Sequence, residues 1–365
     1  MDQKHTIDAD SARGSIKLLM TPGPTEVSPR VLKALSSPLV HHHYSGFIEL
    51  FDDTQNKLKK VYQTKNDVVI LQGEGVLGLE ASVRSILSKG DRLLLLNSGP
   101  FGKSFGGYAR GAEIDELACP QNEAIDVEEV KRKLDEREYR ALTVVHCETP
   151  AGTMNDVKSI CNEAKKRGVI TIVDAVSSLG GVDIKPQSSG IDLCITASQK
   201  CLSCPPALSM ISVSDDAWEA MERVGLRGSY LSILDWRDAW DKKSFPYTPF
   251  ISEIYALNES LNAILEEGLQ NVFRRHRRVA DCIRKGIKNL GLELWPESES
   301  IASDTVTAIK SPSKDVVKKM ENYGILIAGS VGELKGKVIR IGHMGYSAQL
   351  ANCFATMEAL KRALE

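Results

Sequence analysis

The 365-residue sequence lacks an excess of either charge. It carries 46 Lys and Arg against 48 Asp and Glu, a formal net charge of −2. A nucleic-acid binder needs a basic face to offset phosphate charge, and a polybasic membrane anchor needs clustered cations, so the near-balance argues against both. Long hydrophobic runs are missing as well. The purely apolar stretches are as short as Leu93–Leu96, whereas a membrane-spanning helix needs about 20 such residues. The first residues, MDQKHTIDADSARGS, lack an apolar core and are not arginine-rich, so neither a secretory signal nor a transit peptide is expected. The closing Arg-Ala-Leu-Glu is not a peroxisomal address. Cysteine is present but scattered, with eight at 119, 147, 161, 194, 201, 204, 282 and 353. In a long chain without a signal these read as reduced thiols, not as a disulfide framework. A cytoplasmic protein without nucleic-acid or membrane partners is expected. Internal repeats and low-complexity segments are also absent.

What is present is an ordinary soluble composition, 42% hydrophobic and 26% charged, in a chain long enough for two cores. From about residue 67, short apolar runs alternate with amphipathic stretches. Strands are expected at Asp67–Leu71, Leu93–Leu96, Leu142–His146, Val169–Asp174, Leu193–Thr196 and Leu208–Val213, with helices at Val76–Lys89, Val127–Leu134 and Val157–Lys166. That alternation predicts an α/β fold, a mostly parallel sheet flanked by helices. Ligands in such sheets bind beyond the carboxyl ends of the strands. A long helical pattern over Glu253–Leu290 opens a second region. Strands at Asp304–Ile309 and Lys337–Gly342 and helices at Asp315–Tyr323 and Ala348–Ala363 make it a smaller α+β domain. The expected division is an N-terminal arm (1–16), a large domain (17–265) and a small C-terminal domain (266–365).

Four features lie at strand ends. Gly73, Gly75 and Gly78 form a G-x-G-x-x-G between a strand and a helix, a loop able to cradle a phosphate. A dinucleotide site, and with it a dehydrogenase, also wants an acid ending the next strand. Asp91 begins that strand instead, and a purely structural turn stays open. Asp174 ends an apolar strand, either as a helix N-cap or as partner to a protonated ring nitrogen. Lys200 follows the next strand, ahead of Pro205 and Pro206. A desolvated lysine there can attack a carbonyl, and a Schiff-base lysine paired with an aspartate is what pyridoxal chemistry requires. The nearby Cys201 and Cys204 are a weak redox or zinc signal without a second pair. Arg340, inside an apolar strand, suits a substrate carboxylate or an internal salt bridge. His343 reads as structural. His41, His42 and His43 form either an entrance lining beside Tyr44 or a solvated turn.

Together these residues resemble the class V aminotransferases of pyridoxal-phosphate fold type I, in the alanine–glyoxylate/serine–pyruvate branch. The motifs run in order along nearly the whole chain: Leu19–Thr25, Gly73–Ala81, Glu148–Gly152, Asp174–Gly180, Ser198-Gln-Lys200, Tyr247-Thr-Pro249 and Arg340-Ile-Gly342. The resemblance implies a Lys200 Schiff base to pyridoxal 5'-phosphate or its unphosphorylated form. It implies Asp174 at the ring nitrogen, Phe101 and Val176 on the ring faces, and Thr149 near the ring hydroxyl. Gly73, Glu74, Gly75 and Gln199 would lie near the phosphate position, with Tyr247 and Thr248 of a neighbouring subunit, and Arg340 would hold the substrate carboxylate. It also implies small amino and 2-oxo acid substrates and a homodimer or homotetramer with shared sites.

One departure is informative. The branch usually places Ser-Gly-type phosphate donors at the positions of Glu74 and Gly75. Unit charges about 4 Å apart repel by about 4 kcal/mol at an effective dielectric of about 20. A carboxylate at position 74 instead suits the hydroxymethyl group of unphosphorylated pyridoxamine. Asn122–Asp126, Ser232–Trp236, Ser300–Ser303 and Gly342–Gly345 extend the resemblance to the pyridoxamine–pyruvate aminotransferases. In that group a second arginine stands where this chain has Val331, and a tyrosine where it has Phe101.

Overall fold

A computed structural model describes residues 13–365; residues 1–12 of the expected arm lie outside it. Seven strands form the central sheet: β1 (Asp67–Gln72), β2 (Arg92–Asn97), β3 (Glu113–Ala118), β4 (Ala141–Val145), β5 (Ile170–Asp174), β6 (Leu193–Ala197) and β7 (Leu208–Val213). Their order across the sheet is β1-β7-β6-β5-β4-β2-β3. The run from β6 to β3 is parallel, and β7 is antiparallel to both its neighbours. Every residue of β4 to β7 is buried, which requires helices on both faces and matches their nearly continuous apolar sequences. The expected mostly parallel sheet is present. Strand β3 escapes the apolar pattern because it is an edge: Glu-Ile-Asp-Glu-Leu-Ala keeps three side chains exposed and two partly so in its first five residues.

Helix α1 (Gly75–Ile86) follows β1, and α2 (Pro100–Tyr108) follows β2. Gly78 lets α1 lie close on the sheet, since a Cβ there would fall 2.9 Å from both Ile195 and Ser209. Gly78 of the motif therefore serves packing. Its strand, β1, is a sheet edge that pairs only with antiparallel β7. A dinucleotide-binding unit needs parallel neighbours, so the dehydrogenase reading has no βαβ unit to rest on.

The long helical pattern is two helices, α3 (Ile251–Glu267) and α4 (Leu269–Asn289), separated at Gly268 with φ of +82°. Beyond them an antiparallel sheet of order β8-β10-β9 is made by β8 (Val306–Lys310), β9 (Ala328–Gly329) and β10 (Val338–Gly342). Helices α4 and α5 (Leu350–Leu364) pack together beside it around Ile283, Ile287, Ile309, Ile341 and Leu360. The start of the described chain is threaded into this second core: Leu18–Leu19 pairs with Ile325–Leu326, and Met20 is fully buried there. Among the described residues no helix is long and apolar enough to cross a membrane.

Candidate active site

The carboxyl ends of five strands of the large sheet converge. Asp174 ends β5, Lys200 follows β6, Glu74 and Gly75 follow β1, Phe101 opens α2 after β2, and Thr149 lies beyond β4. With Val176 and Gln199 they line one cavity of about 180 Å³, the location expected for a parallel sheet.

Lys200 is held on several sides. Its Nζ donates to the Pro22 carbonyl at 2.6 Å. Its own carbonyl accepts from Thr25 Oγ1 and the Ser203 amide, each at 2.9 Å. Gly23 lies against the side chain, and a Cβ there would be 2.6 Å from both Cδ and Cε. Burial lowers the lysine's pKa, Asp174 opposes that shift and Arg340 adds to it. Cys201 and Cys204 are buried in the same turn, and burial pushes both thiols up to about 12. So little thiolate makes a poor metal ligand and a slow nucleophile.

Asp174 is 5% exposed. Its Oδ1 accepts from the Val176 amide at 2.8 Å, closing a turn instead of capping a helix. Burial pushes the carboxyl up to about 6, against the pull of that N–H and of Lys200. No ion pair engages it among the described residues, so a cationic group entering the cavity would meet an unpaired, poorly solvated carboxylate.

Phe101 is placed by a residue that sequence reasoning left without a role. Fully buried Glu148 accepts from the Phe101 and Gly102 amides, both at 3.0 Å, and so caps α2 from another strand. Gly99 leaves room for it, since a Cβ at 99 would collide with the Glu148 side chain. Burial pushes Glu148 up to about 7, opposed by the two amides and reinforced by Asp174. The signal was available: an acid in Cys147-Glu-Thr-Pro, just past a buried strand, has few solvated options. Thr149 shares a short hydrogen bond with Ser177.

At the cavity mouth, exposed Glu74 is the N-cap of α1, and its Oε2 accepts from the Val76 amide at 3.1 Å. A helix N-terminus ordinarily favours an anion; here the chain supplies its own. Gly75 is in contact with the cavity wall, its virtual Cβ 3.0 Å from Val176 and 3.2 Å from Ala197. Gly73 donates its amide to the Ala207 carbonyl at 2.8 Å and does not line the cavity. Gln199 is 8% exposed, with its side-chain oxygen buried and unpartnered.

Three expected groups lie apart. Tyr247 stacks on Tyr230 with centroids 4.3 Å apart and accepts from Trp236 Nε1 at 3.1 Å. Thr248 is exposed. Neither lines its own chain's cavity. The three histidines form a stacked cluster at the surface, with His42 edge-on to Phe245, also away from the cavity. Buried His343 bonds Thr307 at 2.9 Å and is part of the second core's packing.

Arg340 sits in the central strand of the second sheet at 9% exposure. Its Nε and Nη2 donate to the Gly329 carbonyl at 3.1 and 2.6 Å. Among the described residues it has no carboxylate partner, so the internal salt bridge is not formed. Burial lowers its pKa to about 10. Two residues on, the Gly342 amide donates to the Met20 carbonyl at 2.8 Å, and a Cβ at 342 would overlap Thr21. The arginine's strand thus abuts the segment whose Pro22 carbonyl holds Lys200. An unpaired buried carboxylate, a lysine of lowered pKa, apolar walls from Phe101 and Val176 and an orphaned amide oxygen fit a pyridine ring bearing an aldehyde or amine.

The family model described as aminotransferase class-V matches residues 18–340. Pyridoxamine–pyruvate transaminase of Mesorhizobium japonicum is 38% identical over 358 residues, covering 95% of this chain and 91% of that protein. An uncharacterised aminotransferase of Methanocaldococcus jannaschii is also 38% identical, covering 96% and 93%. The crystal structure of pyridoxamine–pyruvate aminotransferase from Mesorhizobium loti superposes with a TM-score of 0.93 at 38% identity, covering 96% of this chain and 92% of that one. The strand-end lysine and aspartate, the fold and these likenesses agree: the chain belongs to the class-V aminotransferases and is a transaminase of fold type I.

Proposed function

We propose that this enzyme moves the amino group of unphosphorylated pyridoxamine to a small 2-oxo acid, with pyruvate as acceptor, yielding pyridoxal and L-alanine. The observation that carries the reading is the Glu74 carboxylate on the N-terminus of α1, 3.1 Å from the Val76 amide. A phosphate dianion would compete with that carboxylate for the same positive helix end and be repelled by it. A hydroxymethyl group can donate a hydrogen bond to it. The likeness to an enzyme named for pyridoxamine and pyruvate supports the same assignment.

The pyridine ring, when bound, supplies an electron sink for the charge that develops during transfer. The chain's residues do the rest. Asp174 keeps a proton on the ring nitrogen, and the resulting cation draws its raised pKa back down. Lys200, whose pKa burial lowers, takes and returns the migrating proton as general acid–base. The Pro22 carbonyl holds its amine when no substrate competes. Arg340 offers the oxo acid's carboxylate a planar pair of donors now spent on one carbonyl. Val331 is 45% exposed and uncharged, so it adds no second cation for the acid, and Arg340 carries the carboxylate contact alone. Phe101 and Val176 keep water from the ring. In the net exchange, the amino nitrogen would move to C2 of the acid together with a proton from the ring-attached carbon, the acid's oxo oxygen would leave as water, and a second water would supply the oxygen of the ring aldehyde.

Tyr247 and Thr248 lie outside their own cavity, which supports a homodimer or homotetramer in which they complete the partner's site. The cytoplasm is the compartment assigned. The test is to give the purified enzyme pyridoxamine or pyridoxamine phosphate with pyruvate and follow aldehyde formation. Clear preference for the phosphorylated amine overturns the proposal and leaves an ordinary alanine– or serine–glyoxylate aminotransferase.

A further inference from the structure

One pair of thiols stands apart from the active site. Cys282 lies midway along α4 and Cys353 in the first turn of α5. Their sulfurs are 2.6 Å apart, although both are free thiols. Neither lines the catalytic cavity. Among the described residues no other cysteine is placed sulfur to sulfur at hydrogen-bond distance. The two helices pack against each other with Val279, Ile283 and Leu360 in the same core, so the juxtaposition is set by core packing. A disulfide bond is about 2.05 Å long; closing the pair takes a shift of about half an ångström.

From this contact we infer that Cys282 and Cys353 form an oxidation site, closing to an internal disulfide that staples α4 to α5. The oxidant is a peroxide. Cys282 is partly exposed and Cys353 fully buried, so the peroxide reaches Cys282 first. The Cys282 sulfur displaces an alkoxide or hydroxide from the O–O bond and becomes a sulfenic acid, while the peroxide leaves as alcohol or water. Cys353 sulfur then attacks Cys282 sulfur; the S–O bond breaks, and the thiol proton leaves with hydroxide as water. Two thiols and one peroxide thus give one disulfide. Burial, with Cys282 adding to it, raises the Cys353 thiol pKa, and little thiolate slows the second step. The device is therefore a slow staple instead of a fast sensor. It joins residues 71 apart in sequence and so restricts the unfolded chain strongly. The second core it ties together carries Arg340.

The test treats the intact purified enzyme with hydrogen peroxide, quenches with catalase, alkylates free thiols and maps the peptides. The expected product is a linked Cys282–Cys353 peptide, reversed by dithiothreitol, with an unfolding midpoint raised by about 3–10 °C. In Cys353→Ser, Cys282 should proceed to sulfinic acid; in Cys282→Ser, Cys353 should stay reduced and the midpoint should not respond to peroxide. The more exposed Cys282→Ser change keeps the test usable if Cys353→Ser folds poorly. Alkylation of both thiols after oxidation, linkage to other cysteines, or an unchanged midpoint in the linked protein overturns the inference.

Discussion

Replacing Glu74 with serine should exchange one specificity for the other. The substitution removes a negative charge from the N-terminus of α1 and frees the Val76 amide that Glu74 now occupies at 3.1 Å. A phosphate placed at that helix end would lie about 4 Å from the carboxylate. Each charge pair at that distance costs about 1 kcal/mol in water and about 4 kcal/mol at an effective dielectric of about 20. Glu74 is exposed, so the watery end of the range applies, and salt screens it further. For a dianion the repulsion is then about 2 kcal/mol, and the freed amide adds about 1 kcal/mol of hydrogen bonding. At 1.4 kcal/mol per decade, the ratio of kcat/KM for pyridoxamine phosphate over pyridoxamine should rise about 100-fold in Glu74→Ser. The assay follows aldehyde absorbance with pyruvate in excess, at low and high salt. Part of the gain should disappear at high salt. A ratio that moves less than about threefold would refute the electrostatic argument.

Three other outcomes follow from the same geometry. Asp174→Asn should lower kcat by at least about 100-fold, because a neutral amide cannot hold a cationic ring nitrogen; its thermal midpoint should not fall, since the change removes a poorly solvated carboxylate. Arg340→Lys should raise KM for the oxo acid by about 10- to 100-fold with a smaller effect on kcat, since an ammonium cannot make the paired contact. Glu148 is pushed up to about 7 in the fold from its ordinary 4.5, so the folded protein binds its proton more tightly. Stability should therefore decline as pH rises from about 4.5 to 7 and then level off, by at most about 3 kcal/mol. Denaturant titrations of cofactor-free enzyme should show that decline, and Glu148→Gln should remove it.

The chemistry was more legible than the architecture that aims it. Asp174 and Lys200 could be read because each follows an unbroken apolar run, and a charge there has few places to go. Arg340 stood out for the same reason. The polar edge strand Glu113–Ala118 could not, since only one side of it is paired. Nor could the break at Gly268: the apolar period continues across it, and the interruption is one left-handed residue. The Gly73–Gly78 loop left two readings open, a phosphate cradle and a structural turn. Its glycines match a phosphate cradle by spacing, yet Gly78 is small because Ile195 and Ser209 approach it from the sheet. Contacts that span the chain were out of reach. Pro22 meets Lys200, and Glu148 meets Phe101, only once the strands are ordered. Glu74 lies between these cases: its charge was visible in the sequence, while its use as a helix cap needed the fold.

The central claim is that Lys200 bonds a ring carrying no phosphate. Equimolar pyridoxal and pyridoxal 5'-phosphate can be offered together to cofactor-free enzyme, trapped with borohydride and digested for mass spectrometry. The account predicts that the Lys200 peptide carries the pyridoxyl group without phosphate. A phosphopyridoxyl group dominating on Lys200, or a label fixed chiefly to another lysine, would contradict it.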